Sequence, residues 1–252
     1  MARLDGLKSL LLVLSLSGTA SAVTLALDAS TEHQTIEGFG AHGSMDVWWH
    51  NGPFYNDQFL DRVVNDLGMT ISREGWDPPD NGFWPKQSSF AQALNQKAIA
   101  SGVDMRFIFS VWSPPGDLKI GGSAVDGNQA TNQLIATPQN YAAYGDWLVQ
   151  GIESYRGIGI ELYGVSMSNE PEFSQTGFNS CYYSETSYRD VWRVVGPKIR
   201  AASATVKMFG SENMLNRLGA REAYWHNDSI AGRHMGAIAV HGYHDGAHPL
   251  PN

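Results

Sequence analysis

The chain has few of the residues that staple small exported domains or bind polyanions. Of its 252 residues only one, Cys181, is a cysteine. No intrachain disulfide can form, so Cys181 is either a solitary semi-buried thiol or a link to another chain. Basic residues are scarce as well: 17 Lys and Arg stand against 25 Asp and Glu, a formal net charge of −8. That balance argues against nucleic acid or an anionic membrane surface as partner. Long hydrophobic runs are missing. The apolar run at 10–16 is shorter than the ~20 residues that cross a bilayer. There is no repeat period, no low-complexity segment and no G-x-S-x-G elbow of a serine hydrolase.

The leader is the first positive signal. Arg3 and Lys8 bracket the start of the apolar run, and Ala20-Ser21-Ala22 fits the A-x-A cleavage pattern. A secretory signal peptide over 1–22 is expected, with an extracellular mature protein. The remainder suits one large domain or two small ones. Its 8 Trp and 10 Tyr gather near Gly/Pro-rich turns, which suits stacking on sugar rings as well as core packing.

Short apolar runs alternate with helical patterns. Strands are predicted at 35–39, 69–73, 103–111, 160–168, 206–209 and 237–241. Between them helices are predicted at 54–67, 88–100, 137–156, 184–202 and 217–225. Ser88 or Ser89 is the expected cap of the second, and Thr137-Pro138 opens the third. Gly196-Pro197 should kink or split the fourth. This alternation implies parallel strands with crossover helices. Polar or aromatic groups close several strands: Arg73-Glu74, Ser110 to Trp112, Asn169-Glu170, Ser211-Glu212 and His241 to Tyr243. In a (β/α)8 TIM barrel all such ends meet on one face, where catalysis sits. A doubly wound sheet would gather them at one crevice instead. The barrel is the expected fold.

Asn169-Glu170-Pro171 stands out among these ends. A carboxylate at a barrel mouth is partly desolvated, which raises its pKa and keeps it protonated as a general acid. Asn169 can grip a sugar hydroxyl through both donor and acceptor. The competing reading is a surface Glu that caps a turn. Glu172, two positions on, is expected to point away over the rim.

Taken in order, "QTIEGFGA", "ISREGWDPP", "FSVWSPPGDLK", "SNEPEF" and "AIAVHGYHDG" resemble the strand ends of glycoside hydrolase family 30. That family includes glucuronoxylanases, glucosylceramidase-type enzymes and endo-β-1,6-galactanases, and belongs to a clan of retaining β-glycosidases on (β/α)8 barrels. The resemblance runs from about Val23 to Gly246. It implies Glu170 as acid/base and Asn169 beside the sugar 2-hydroxyl. It implies Arg73 near the nucleophile, Trp112 lining the cleavage subsite, and His241 and Tyr243 on the far wall. Each has a plainer alternative: Arg73 pairs with Glu74 or Asp77, Trp112 is a core aromatic, His241 is a hydrogen-bonded core histidine. Glu212 either faces the cleft, binding substrate or tuning Glu170, or pairs with Arg217. Trp76, Trp84 and the Trp48-Trp49 pair either stack on sugars or close loops.

No cofactor is expected. His241, His244, Asp245 and His248 crowd together, but in a Gly/Pro-rich tail without a helix to set them on one face, so no metal site is expected. The implied partner is a polysaccharide or oligosaccharide. Retaining glycosidases need two carboxylates about 5–5.5 Å apart. The resemblance implies a nucleophilic Glu at the end of a seventh strand, and the sequence printed to Asn252 holds no such strand. The expected organisation is therefore a leader at 1–22, the first strand of a β side domain at 23–34, and a partial barrel of about six βα units at 35–252. Such a chain is a fragment expected to be inactive, a six-unit remnant that binds sugar without cutting it, or a site in which Glu212 replaces the nucleophile.

Overall fold

The computed structural model describes residues 30, 33–43, 56–78, 82–215 and 219–243. The chain divides into a unit of residues 1–37 and one of 38–252. In the first unit the described residues, 30 and 33–37, carry no strand or helix. The expected leader, Trp48-Trp49, Arg217, His244, Asp245 and His248 lie outside the described residues.

The second unit is a curled sheet of six parallel strands in chain order: β1 Gly40–His42, β2 Ile71–Gly75, β3 Arg106–Ser110, β4 Leu162–Ser166, β5 Lys207–Met214 and β6 Met235–His241. Its helices are α1 Asp57–Asp61, which continues as a π-helical turn over Arg62–Asp66, α2 Trp84–Ala100, α3 Pro138–Gly157, α4 Glu185–Ala202 and α5 Ala220–His226. Neighbours in sequence are neighbours in the sheet, as in a barrel and unlike a doubly wound sheet. The fold is an incomplete (β/α)8 barrel. Gly38-Phe39-Gly40-Ala41-His42-Gly43 does have G-x-G-x-x-G spacing. Its Gly40, Ala41 and His42 form β1 itself, whereas a phosphate turn needs those positions between a strand and a helix.

Several boundaries differ from the sequence reading. Residues 35–39, expected as the first strand, form none, and β1 follows them at Gly40–His42. The second helix starts at Trp84, and Ser88 and Ser89 donate back to the Pro85 carbonyl instead of capping. Pro197 sits inside an unbroken α4. Thr137 does cap α3, accepting from the Asn140 N–H. The fifth strand extends to Met214, so Glu212 lies inside it.

Helical spacing explains the packing of α4. Its buried residues, Tyr188, Val191, Trp192, Val195, Gly196 and Ile199, recur every three or four positions and make one apolar stripe. Trp192 stacks flat on Trp225 of α5 with ring centroids 4.5 Å apart. On α3, Gly151 meets the Trp76 ring so closely that a Cβ would lie 2.9 Å from it. Trp76 is buried and donates to the Trp147 carbonyl, and Trp84 packs edge-on against it. Both tryptophans therefore serve the packing between sheet and helices rather than a sugar platform.

The two outer strands differ from the rest. β6 reads as a continuous apolar run, the pattern of a strand covered on both faces, yet Ile238 is 58% exposed. Beside β1, Phe39 is 70% exposed. The sheet thus presents apolar edges at both ends.

Candidate active site

Strand ends bring most of the predicted site residues together. Arg73 on β2 is the hub. Its Nε donates to Ser110 Oγ at the end of β3 (3.0 Å), and its Nη2 donates to Asn169 Oδ1 (2.7 Å) and Glu212 Oε2 (2.5 Å). Arg73 thus pairs with Glu212, and Glu74 instead accepts from Ser72 Oγ at 2.6 Å. Trp112 lies under the same guanidinium, 4.8 Å from ring centroid to Arg73 Cζ. His42 of β1 stacks on Trp112 with centroids 5.3 Å apart. Trp112 is half-buried and is engaged by protein groups as well as open to solvent.

Glu170 belongs to the same cluster. Its Oε1 meets His241 Nδ1 at 2.8 Å and accepts the Tyr243 hydroxyl proton. The other ring nitrogen, Nε2, lies 3.4 Å from Glu212 Oε2. One imidazole therefore stands between two carboxylates. Both contacts are favourable only when both ring nitrogens carry protons. Glu170 and His241 are largely buried, and Tyr243 is exposed.

The electrostatics reverse one expectation. Burial alone would raise the Glu170 pKa, but hydrogen bonds from His241 and Tyr243 and the charges of His241 and Arg73 outweigh it and hold the carboxyl below its ordinary value. In this arrangement Glu170 is ionised, not protonated. Glu212, which is buried, is likewise held low, by Arg73 first and then by His241, Ser110 and Ser166. Burial would lower the His241 pKa, yet the two carboxylates raise it to about 9. His42 is driven the other way, to about 4, by burial and then by Arg73.

These shifts fix a pH dependence. His241 has a folded pKa above its unfolded value of 6.5, so its contribution to stability is complete below about pH 6.5 and is lost as pH rises through about 9. Glu170 and Glu212 are depressed, so theirs is complete above about pH 4.5 and is lost as pH falls through the lowered values. Chemical denaturation across pH 4–10 should show this cluster contributing most between about 4.5 and 6.5. His241→Gln should flatten the decline towards pH 9; an unchanged decline would contradict the assignment.

Glu172 does not point away over the rim. Its side chain is 5% exposed, and its Oε1 accepts the Met214 N–H at 2.7 Å. Two features here escaped the sequence reading: His42 and the inward direction of Glu172. His42 closes β1 as the predicted residues close their strands, but the strand expected at 35–39 stopped short of it; Ser110 was already among the predicted strand ends. Glu172 carried no comparable signal.

The profile of the Glycosyl hydrolase family 30 TIM-barrel domain matches residues 87–249. That span contains Trp112, Asn169, Glu170, Glu212, His241 and Tyr243; Arg73 lies before it. A putative glucosylceramidase 2 from Caenorhabditis elegans is 24% identical over 91% of this chain and 50% of its own length. Endo-1,6-beta-D-glucanase BGN16.3 from Trichoderma harzianum is 27% identical over 66% of this chain and 35% of its own. The chain spans about half the length, or less, of these curated relatives. Among solved structures, the glycoside hydrolase family 30 subfamily 8 xylanase Xyn30A from Clostridium acetobutylicum superposes with a TM-score of 0.68 at 23% identity. It covers 89% of this chain and 53% of that one, and supports the fold. By its matched residues this chain belongs to glycosyl hydrolase family 30, whose members act on glycans by a retaining mechanism.

Proposed function

We propose that this chain carries the acid/base half of a retaining β-glycoside hydrolase acting on a polysaccharide, with xylan-like or β-linked hexose chains as substrates. One observation carries the reading: Glu170 stands with Asn169, Arg73, Glu212 and His241 at the C-terminal ends of parallel strands, where barrel enzymes place their chemistry. Glu170 is the acid/base and Asn169 faces the sugar beside the scissile bond. Trp112 lines the cleavage subsite, and His241 and Tyr243 form the far wall. The leader at 1–22 and an extracellular location are part of the same proposal.

The nucleophile is proposed to come from a segment outside this chain. Two observations support this. The apolar edges of β1 and β6 are suited to further strands. Glu212, the other buried carboxylate of the cluster, is committed to Arg73 and separated from Glu170 by the His241 ring. A nucleophile about 5–5.5 Å from Glu170 would also resolve the ionisation of Glu170. A second negative charge at that range pushes a carboxyl pKa upward, turning the resting carboxylate into the acid that the first step needs. After glycosylation that charge is gone, and Glu170 reverts to the base that activates water.

The second reading is sugar binding without cleavage, favoured by the same engagement of Glu212. Incubation of the full-length protein with insoluble xylans and β-glucans separates the two. Release of reducing sugar whose first product keeps the β configuration supports the hydrolase; retention on the glycan without release supports binding. An α first product would overturn the retaining assignment.

A further inference from the structure

Glu170 and Glu212 share an unusual backbone. Their φ angles are +47° and +61°, and among the described residues they are the non-glycine positions in the left-handed region. Such conformations cost on the order of 1–3 kcal/mol and persist when the surroundings over-determine them. The sheet does not supply the restraint between them. The β4–β5 ladder pairs Gly164 with Lys207 and Val165 with Met208, and goes no further. Glu170 and Glu212 both lie beyond it.

Loop backbone and side chains take over where the ladder stops. Tyr183 N–H donates to the Pro171 carbonyl at 2.8 Å, and the Tyr183 carbonyl accepts from Arg221 Nε at 2.8 Å. Around Glu212, Glu222 accepts from Ser211 and from Asn213 Nδ2 (3.0 Å). Between the two sets stands Glu172. It lies two residues past Glu170, and its Oε1 holds the N–H of Met214, two residues past Glu212. Its Oε2 is 4.0 Å from Arg221 Nη1. Met214 is moreover the register partner of His241 in the β5–β6 ladder. A hold on Met214 is therefore a hold on the strand end that presents the imidazole.

We propose that Glu172 is a positioning residue: by clamping the Met214 N–H it sets the distance between the Glu170 turn and the β5–β6 end, so that His241 spans Glu170 and Glu212. The clamp matters for catalysis only if Glu170 is the acid/base, so the proposal rests on the reading above. The geometry can nevertheless be tested without substrate. The groups facing His241 are Glu170 and Tyr243 from the loops after β4 and β6, Glu212 from β5 and Arg73 from β2. The titration of His241 therefore reports on whether both carboxylates are in place.

The experiment is side-chain NMR of the imidazole nitrogens over pH 5–10 in four proteins. Wild type should titrate near 9. Glu172→Gln keeps an oxygen for the Met214 N–H and should stay there. Glu172→Ala removes the acceptor, and the midpoint should fall by a unit or more towards 6.5, the ordinary value. Glu172→Asp, which withdraws the oxygen by one methylene, should shift the midpoint the same way and serves if the alanine variant does not fold. A midpoint unmoved by Ala or Asp would overturn the proposal even if stability drops, since that is a purely structural role. So would an equal shift in Gln, which would trace the effect to charge. Absence of hydrolysis by the full-length wild type, with the midpoints shifting among the variants as described, would count against the function and not the clamp.

Discussion

Glu170→Gln, in the full-length protein, is expected to lower hydrolysis of unactivated glycan bonds by roughly 10²–10⁴-fold. The amide is nearly the same size and still accepts from His241 and Tyr243, so the pocket should keep its shape. What it cannot do is gain and lose a proton. The loss should therefore depend on the leaving group. A sugar hydroxyl needs its oxygen protonated as the bond breaks, whereas an activated aryl leaves unaided. On activated aryl glycosides the first step should be largely spared, and the second, in which Glu170 removes a proton from water, should become limiting with a burst of the aryl product. Equal losses on both substrate classes would remove Glu170 from its role. A variant as active as wild type would remove the site itself.

Arg73→Met should cost about 3–5 kcal/mol of folding stability, the usual penalty for stranding a buried charge. Glu212 is 2% exposed and keeps its charge chiefly through the guanidinium at 2.5 Å. His241 faces the same oxygen and offsets part of the loss, which places the expectation at the lower end of that range. Arg73 also donates to Ser110 and Asn169, and those acceptors would be left without it. Lysine is not a conservative replacement, because one ammonium cannot reproduce a fork that reaches three side chains. Denaturant melts of Arg73→Met, Glu212→Met and the double variant give the coupling. The double variant should be more stable than Arg73→Met, since no stranded carboxylate remains. An Arg73→Met loss below about 1 kcal/mol would mean that the pair behaves as a surface contact.

The order of elements was readable in the sequence because it follows from local periodicity. Among the described residues, alternation of apolar runs with helical spacing located five of the six strands and the five α-helices but missed β1 by placing its strand at 35–39, and Thr137-Pro138 marked the start of α3 to the residue. The strand-end pattern also pointed to Asn169-Glu170, since residues that close parallel strands of a barrel converge wherever the loops lead. Errors appeared where local signals compete. Ser88 and Ser89 look like caps, but the apolar surface around Trp84 starts α2 a turn earlier.

The sequence by itself determined that parallel strands carry polar ends to one face, and that Glu170 is among them. Tertiary structure alone decided what those ends do to one another. Arg73 reaches Asn169 and Glu212 across 96 and 139 positions of chain, separations over which no local pattern carries information. The ionised state of Glu170 depends on His241, 71 residues away. The inward turn of Glu172 follows a left-handed residue, where the alternation of a strand no longer predicts direction. Hydrophobic spacing fixes which elements form; the charges are set by contacts that exist only once the sheet has curled.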